Sequence, residues 1–184
     1  MNSQELEKVS MNGRMAYAIL CVEQYLLTKY PDRDWSHLSE EMWPVTNTYW
    51  DEWAERFMEI IPQYLFEHVS YQESDFEFLE ETDYNVFSDL FRGISDGHSD
   101  EEHDRVNYLL LSLYKLEEVY AYTEIPDKGE ESLEIIDKVC EILTQDDVTL
   151  PAVESVSFSL FSERNGWGDP FDGKELSLIL RSSS

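Results

Sequence analysis

Apolar residues recur through most of this chain at steps of three and four, and near the C-terminus at steps of two. Met15, Ile19, Val22 and Leu26 are spaced by four, three and four, which predicts a helix over about residues 11–29. Tyr30-Pro31-Asp32 ends it, because a residue before proline avoids the helical region. A short helical turn is expected from Trp35 to Trp43, stopped by Pro44. Trp50, Trp53, Phe57 and Ile60/Ile61 form the best-defined stripe, with Thr48-x-x-Asp51 as its start signal. Pro62 predicts a kink, or an end and restart through Tyr64-Leu65-Phe66.

Phe76 and Leu79 suggest a further short helix, and Tyr84, Phe87, Leu90/Phe91 and Ile94 a longer one closed by Gly93 or Gly97. Ser99-Asp100-Glu101-Glu102 reads as a capping box, with acids facing the positive end of the helix dipole. The helix it would start carries Val106, Leu109/Leu110, Leu111, Leu113, Leu116 and Tyr120, and its apolarity makes it the expected central helix. Pro126-Asp127-Lys128-Gly129 breaks the chain before a last helix with Leu133, Ile136, Val139/Cys140 and Leu143. The alternation in Ser155–Leu160 and again in Leu176-Ser177-Leu178, around the turn cluster Asn165–Pro170, predicts two strands. The expected fold is therefore mainly α, a single-domain bundle of about five to seven helices over residues 1–184. Its helical body spans 11–146, and a C-terminal β-hairpin over 154–181 leans on it.

Composition sharpens this picture through charge. Thirteen bases against 40 acids give a net charge of −27. Such a surface disfavours binding to nucleic acid or anionic membranes, which need clustered Lys and Arg, and it attracts cationic partners. Between Phe57 and Asp104 lie 14 carboxylates, a single base (Arg92) and nine aromatic residues. Disordered acidic tails are poor in aromatics, so this stretch reads as a folded scaffold with a negative field outside. The acids expected to face outward and meet a partner are Glu73, Asp75, Glu77, Glu80, Glu81, Asp83, Asp96, Asp100, Glu101 and Asp104. A carboxylate-rich surface serving only solubility competes with that reading.

Candidate chemistry is sparse. His98 and His103 lie among five carboxylates, which invites a divalent metal, but a spacing of five does not align them on one helix face. The same window fails the alternating-acid pattern of calcium loops, and no cofactor is expected. There is no nucleophile elbow, P-loop or dinucleotide fingerprint. A glycosidase-type carboxylate pair among 40 acids would need a sugar cleft; Trp43, Trp50 and Trp53 instead sit at helical spacing on a core face. Trp167, at a turn tip, is either folded over the core or displayed as a binding anchor. Cys21 and Cys140 sit in apolar helical patterns, as reduced thiols do in a cytoplasmic protein. Met1–Glu7 has neither the basic start nor the apolar run of a secretory signal, and no stretch is long enough to span a bilayer.

In overall character the chain resembles the acidic helical immunity proteins of bacterial toxin systems. The stretch Trp43-Pro44 through Trp50-Asp51-Glu52-Trp53 to Glu59-Ile60-Ile61-Pro62 carries that resemblance. It implies a non-enzymatic protein that binds and neutralises a basic toxin, often a nuclease, and it assigns no individual residue. The alternatives are a carboxylate- or metal-dependent hydrolase and a helical regulatory subunit whose acidity serves solubility. The oligomeric state is unspecified.

Overall fold

Ser10 starts the longest helix: its hydroxyl accepts a hydrogen bond from the Gly13 N–H, and α1 (Met11–Lys29) follows. The computed structural model describes residues 3–183. After α1 come α2 (Ser36–Met42), α3 (Trp50–Ile60), α4 (Pro62–Leu65), α5 (Glu81–Phe91), α6 (Arg105–Glu118) and α7 (Glu130–Gln145), with short 3-10 turns before α1, between α2 and α3, between α4 and α5, and through the coil after α7. The chain is a mainly helical, single compact domain with one hydrophobic core. No helix among the described residues is long and apolar enough to cross a membrane.

The central helix is α1, not α6. Fifteen of the 19 residues of α1 are buried, against nine of the 14 in α6, and α6 and α7 pack together against it. A helix enclosed on all sides must bury polar groups too, and α1 does. Arg14, with no exposed surface, donates from Nε to the Leu6 carbonyl and from Nη1 to the Gly129 carbonyl and the Ser132 hydroxyl. Its guanidinium also sits 4.9 Å from the Phe161 ring. Burial lowers its pKa to about 10, so it stays charged at neutral pH. Glu23, equally buried, accepts from the Ser39 and Ser177 hydroxyls, Trp43 Nε1 and the Leu178 N–H. One carboxylate thus ties α1 to α2, to the turn after it, and to the C-terminal coil.

The predicted C-terminal hairpin does not form. No strand occurs among the described residues, and the only ladder contact is an isolated antiparallel bridge between Val9 and Leu160. The alternation in sequence is not followed by burial: Val156 is buried with Ser155 and Ser157 exposed, but the order then changes. Ser159 and Ser177 are buried, whereas Phe158 and Leu160 are largely exposed. Ser159 meets the Ser10 hydroxyl at 2.6 Å and Ser177 serves Glu23, so serine hydroxyls anchor this coil where a ladder was expected. Left-handed backbone at Arg164, Asn165, Gly166 and Gly168 curls it further.

Other local expectations shift for similar reasons. Residues 76–79 are not helical, because the Glu77, Phe78 and Leu79 N–H groups all donate to the buried Glu59 carboxylate. The cap of α6 is Asp104, not Ser99: its Oδ1 accepts from the Asn107 N–H, and its Oδ2 accepts from Ser95 Oγ and the Asp96 and Gly97 N–H groups. Thr48 does not cap α3, since its hydroxyl is spent on the Pro44 carbonyl and Tyr49 holds the cap position. Pro44 ends no helix abruptly; it opens the 3-10 turn Trp43–Asn47. Pro62 does end α3 and restart the chain as α4.

Candidate functional site

The sequence-predicted acids divide into two groups. Glu73, Asp75, Glu77, Glu80, Glu81, Asp96 and Asp100 are exposed. Asp104 is buried, its Oδ1 capping α6 and its Oδ2 holding Ser95, Asp96 and Gly97, so it is not presented to a partner. Asp83 is half-buried and bound, with Glu41, to Arg56; Glu101 is also half-buried. Glu73, Asp75, Glu77 and Glu80 make no side-chain hydrogen bond or ion pair among the described residues. They ride on a segment held rigidly from beneath by Glu59, by the Tyr71 hydroxyl on the Leu79 carbonyl and by the Tyr71, Phe76 and Tyr84 rings. The bases do little to offset this field. Arg14 and Arg33 bind backbone carbonyls, and Arg56 is spent on Glu41, Asp83 and the Phe78 carbonyl.

The two histidines come closer than their spacing suggests, with ring centroids 4.4 Å apart. Each has a specific partner. His98 Nδ1 accepts from the Asp100 N–H, and His103 Nε2 lies 3.0 Å from Asp96 Oδ2. Asp96 raises the His103 pKa, chiefly through that hydrogen bond. Among the described residues no group of three or more His, Cys, Asp or Glu is arranged to hold a metal. Cys21 and Cys140 form no disulfide and meet, buried, where α1 packs on α7, and burial pushes the Cys21 thiol upward.

A wide concavity lies elsewhere, where the first turn of α3, the end of α6 and the coil around Trp167 converge. It is an open cleft of about 720 Å³ lined by Asn12, Asn47, Thr48, Tyr49, Trp50, Asp51, Glu52, Glu117, Ala121, Tyr122, Arg164, Trp167, Gly168 and Pro170. Asn12, at the start of α1, assembles it. Its Oδ1 accepts from Trp50 Nε1 at 2.9 Å, its own N–H donates to the Trp167 carbonyl at 3.0 Å, and its Nδ2 donates to the Gly168 carbonyl at 3.3 Å. The two indoles therefore meet edge to face, 5.2 Å apart at 88°. Gly168 allows this approach: its φ is +79°, and a Cβ there would lie 2.1 Å from Ser10 Oγ. Trp167 is thus half-buried, folded back on Trp50 and facing the cleft at once.

Two features of the cleft stand apart from the rest of the fold. Glu117 is only 8 % exposed, yet its carboxylate makes no hydrogen bond or ion pair among the described residues. Burial raises its pKa, and the nearby Glu118 and Asp51 raise it further. At the rim, Tyr122 is 93 % exposed and sits in the left-handed region at φ +59°, which is strained for an aromatic residue. The one base in the lining, Arg164, is tethered to Asp169 by a 2.7 Å Nε–Oδ1 contact.

Sequence reasoning singled out Trp167 but missed Asn12, Glu117 and Tyr122. A signal for Glu117 existed: Val106, Leu110, Leu113, Glu117 and Tyr120 are spaced by four, three, four and three, which puts a charge on the apolar stripe. Comparison of the chain with protein-family models, curated proteins and solved structures gives no match.

Proposed function

We propose that this chain is a non-enzymatic acidic binding protein that sequesters or inhibits a basic protein partner in the cytoplasm, in the manner of an immunity protein against a toxin. The observation that carries this reading is the exposure of Glu73, Asp75, Glu77 and Glu80, outward and unpaired among the described residues, along a segment whose 77–79 backbone is hydrogen-bonded to Glu59. Pre-ordered charges attract a cationic surface without the entropy cost of ordering a loop, and they act mainly on the association rate. The exposed side chains of Val69 and Phe78 beside them add apolar contact. The test is capture of a basic protein from the host, followed by association kinetics against the purified partner. Association should slow steeply with salt and about tenfold in the variant Glu73→Gln, Asp75→Asn, Glu77→Gln, Glu80→Gln. A partner whose association rate ignores both salt and these substitutions overturns the reading.

A second reading, a carboxylate-dependent hydrolase, is favoured by one observation: a buried glutamate with a raised pKa lines a tryptophan-bearing cleft beside Asp51. Hydrolysis of glycoside substrates by the purified chain, abolished by Glu117→Gln, would establish it. Absence of turnover across such substrates would remove it.

A further inference from the structure

We propose that the cleft between α3, α6 and the Trp167 coil receives a cationic side chain, an arginine or lysine of the bound partner. This inference rests on the reading of the chain as a binder of a basic protein, and it supplies the anchor point. The cleft offers what a cation needs and other ligands lack. Aromatic surface from Trp50, Trp167 and the rim tyrosines Tyr49 and Tyr122 favours a cation over water, because the ring faces carry negative charge. Glu117, a residue only 8 % exposed, has no protein donor among the described residues and meets solvent only through the cleft, so an incoming N–H would replace water on its carboxylate. An anion would face Asp51, Glu52 and Glu117 together, and a neutral apolar group would displace water from the Glu117 carboxylate without replacing its hydrogen bonds. Arg164, the only base in the lining, is held by Asp169.

Glu117 faces Asp51 and Glu52 from α3, Glu118 from its own helix, and Arg164 from the coil. The acids and its burial all hold its proton on, and a cation would drive that proton off. Binding should therefore tighten as pH rises above the ordinary glutamate value of 4.5 and level off once Glu117 is ionised.

The test uses the full chain and three blocked tripeptides, Gly-Arg-Gly, Gly-Lys-Gly and the neutral isostere Gly-citrulline-Gly, read by tryptophan fluorescence and amide chemical shifts. The arginine and lysine peptides should perturb Trp50 and Trp167 saturably, and the citrulline peptide should bind about tenfold more weakly. Glu117→Gln should lose about tenfold for the arginine peptide, and Trp167→Leu should lose affinity while keeping the helical circular dichroism. Equal binding of arginine and citrulline peptides, or unchanged affinity in Glu117→Gln, overturns the proposal. The partner reading fails separately. A partner that associates in a salt-dependent way but dissociates from Glu117→Gln at the wild-type rate sinks the cleft and leaves that reading standing. Arginine-peptide binding by a chain with no basic partner keeps the cleft and sinks the partner.

Discussion

Glu59 and Glu117 are buried to nearly the same degree, at 6 % and 8 % exposure, yet their surroundings are opposite. Glu59 accepts three backbone N–H groups within 3.0 Å, and neighbouring Arg56 secures the same segment through the Phe78 carbonyl. Glu117 accepts nothing among the described residues, and its nearest charged company is acidic. Glu23 and Asp104 side with Glu59, each receiving four donors. In this fold a buried carboxylate is ordinarily a staple that fixes where a segment goes. The one without donors opens on the cleft beside Trp50 and Trp167, and that contrast sets it apart from the carboxylates that hold the fold together.

The largest expected effect is at a staple. Glu23→Ala should cost about 3 kcal/mol in urea unfolding, because it strands the Trp43 indole N–H and the Leu178 N–H in the interior. Glu59→Gln should cost about 2 kcal/mol, and amide exchange should quicken at Glu77, Phe78 and Leu79. Glu117→Gln should go the other way: no loss, or a gain of a few tenths of a kcal/mol at neutral pH, because a partly desolvated charge beside Glu118 and Asp51 is removed.

The pH dependence of that gain has a definite sign. A carboxyl whose folded pKa is raised weakens the folded state once pH passes the unfolded value, and the penalty is complete above the folded value. The advantage of Glu117→Gln over wild type should accordingly vanish below about pH 4.5 and grow above it. If Glu117→Gln proves as destabilising as Glu59→Gln, the distinction between the two glutamates collapses. Tyr122→Gly sharpens the comparison at the rim. It should stabilise by about 1 kcal/mol through relief of the left-handed conformation and still weaken peptide binding.

The smallest effect concerns His103. Its pKa is raised by Asp96, so its contribution to stability is present below pH 6.5 and fades as pH climbs through the raised value. NMR titration should find His103 above 6.5, and Asp96→Asn should return it to the ordinary range.

Periodicity made the helical body legible. The 11–29 stripe and the 50–61 stripe with its proline restart appear almost as read, because apolar burial at steps of three and four dominates there. What escaped was polar burial. Ser159 and Ser177 go inside and break the C-terminal alternation, and Glu59 unwinds residues 76–79 into a nest. Asp104 moves the start of α6 from Ser99 to Arg105. Each depends on a partner distant in the chain or on a backbone that must first be placed, which a local pattern does not reveal. The cleft was hidden for the same reason. Asn12 and Trp167 are adjacent only once the C-terminal coil has closed over the start of α1. The charge on the α6 stripe at Glu117, and likewise Glu23 at helical spacing between Ile19 and Leu26, were the visible hints that buried carboxylates organise this protein.

The most direct test is a carboxyl-carbon NMR titration of Glu117 in the full chain, with and without the blocked arginine peptide. A Glu117 that titrates above 4.5 when alone, and falls when the peptide is present, is the predicted result. A Glu117 that titrates with the exposed glutamates and ignores the peptide would contradict the claim that this cleft is built around a carboxylate without a protein donor.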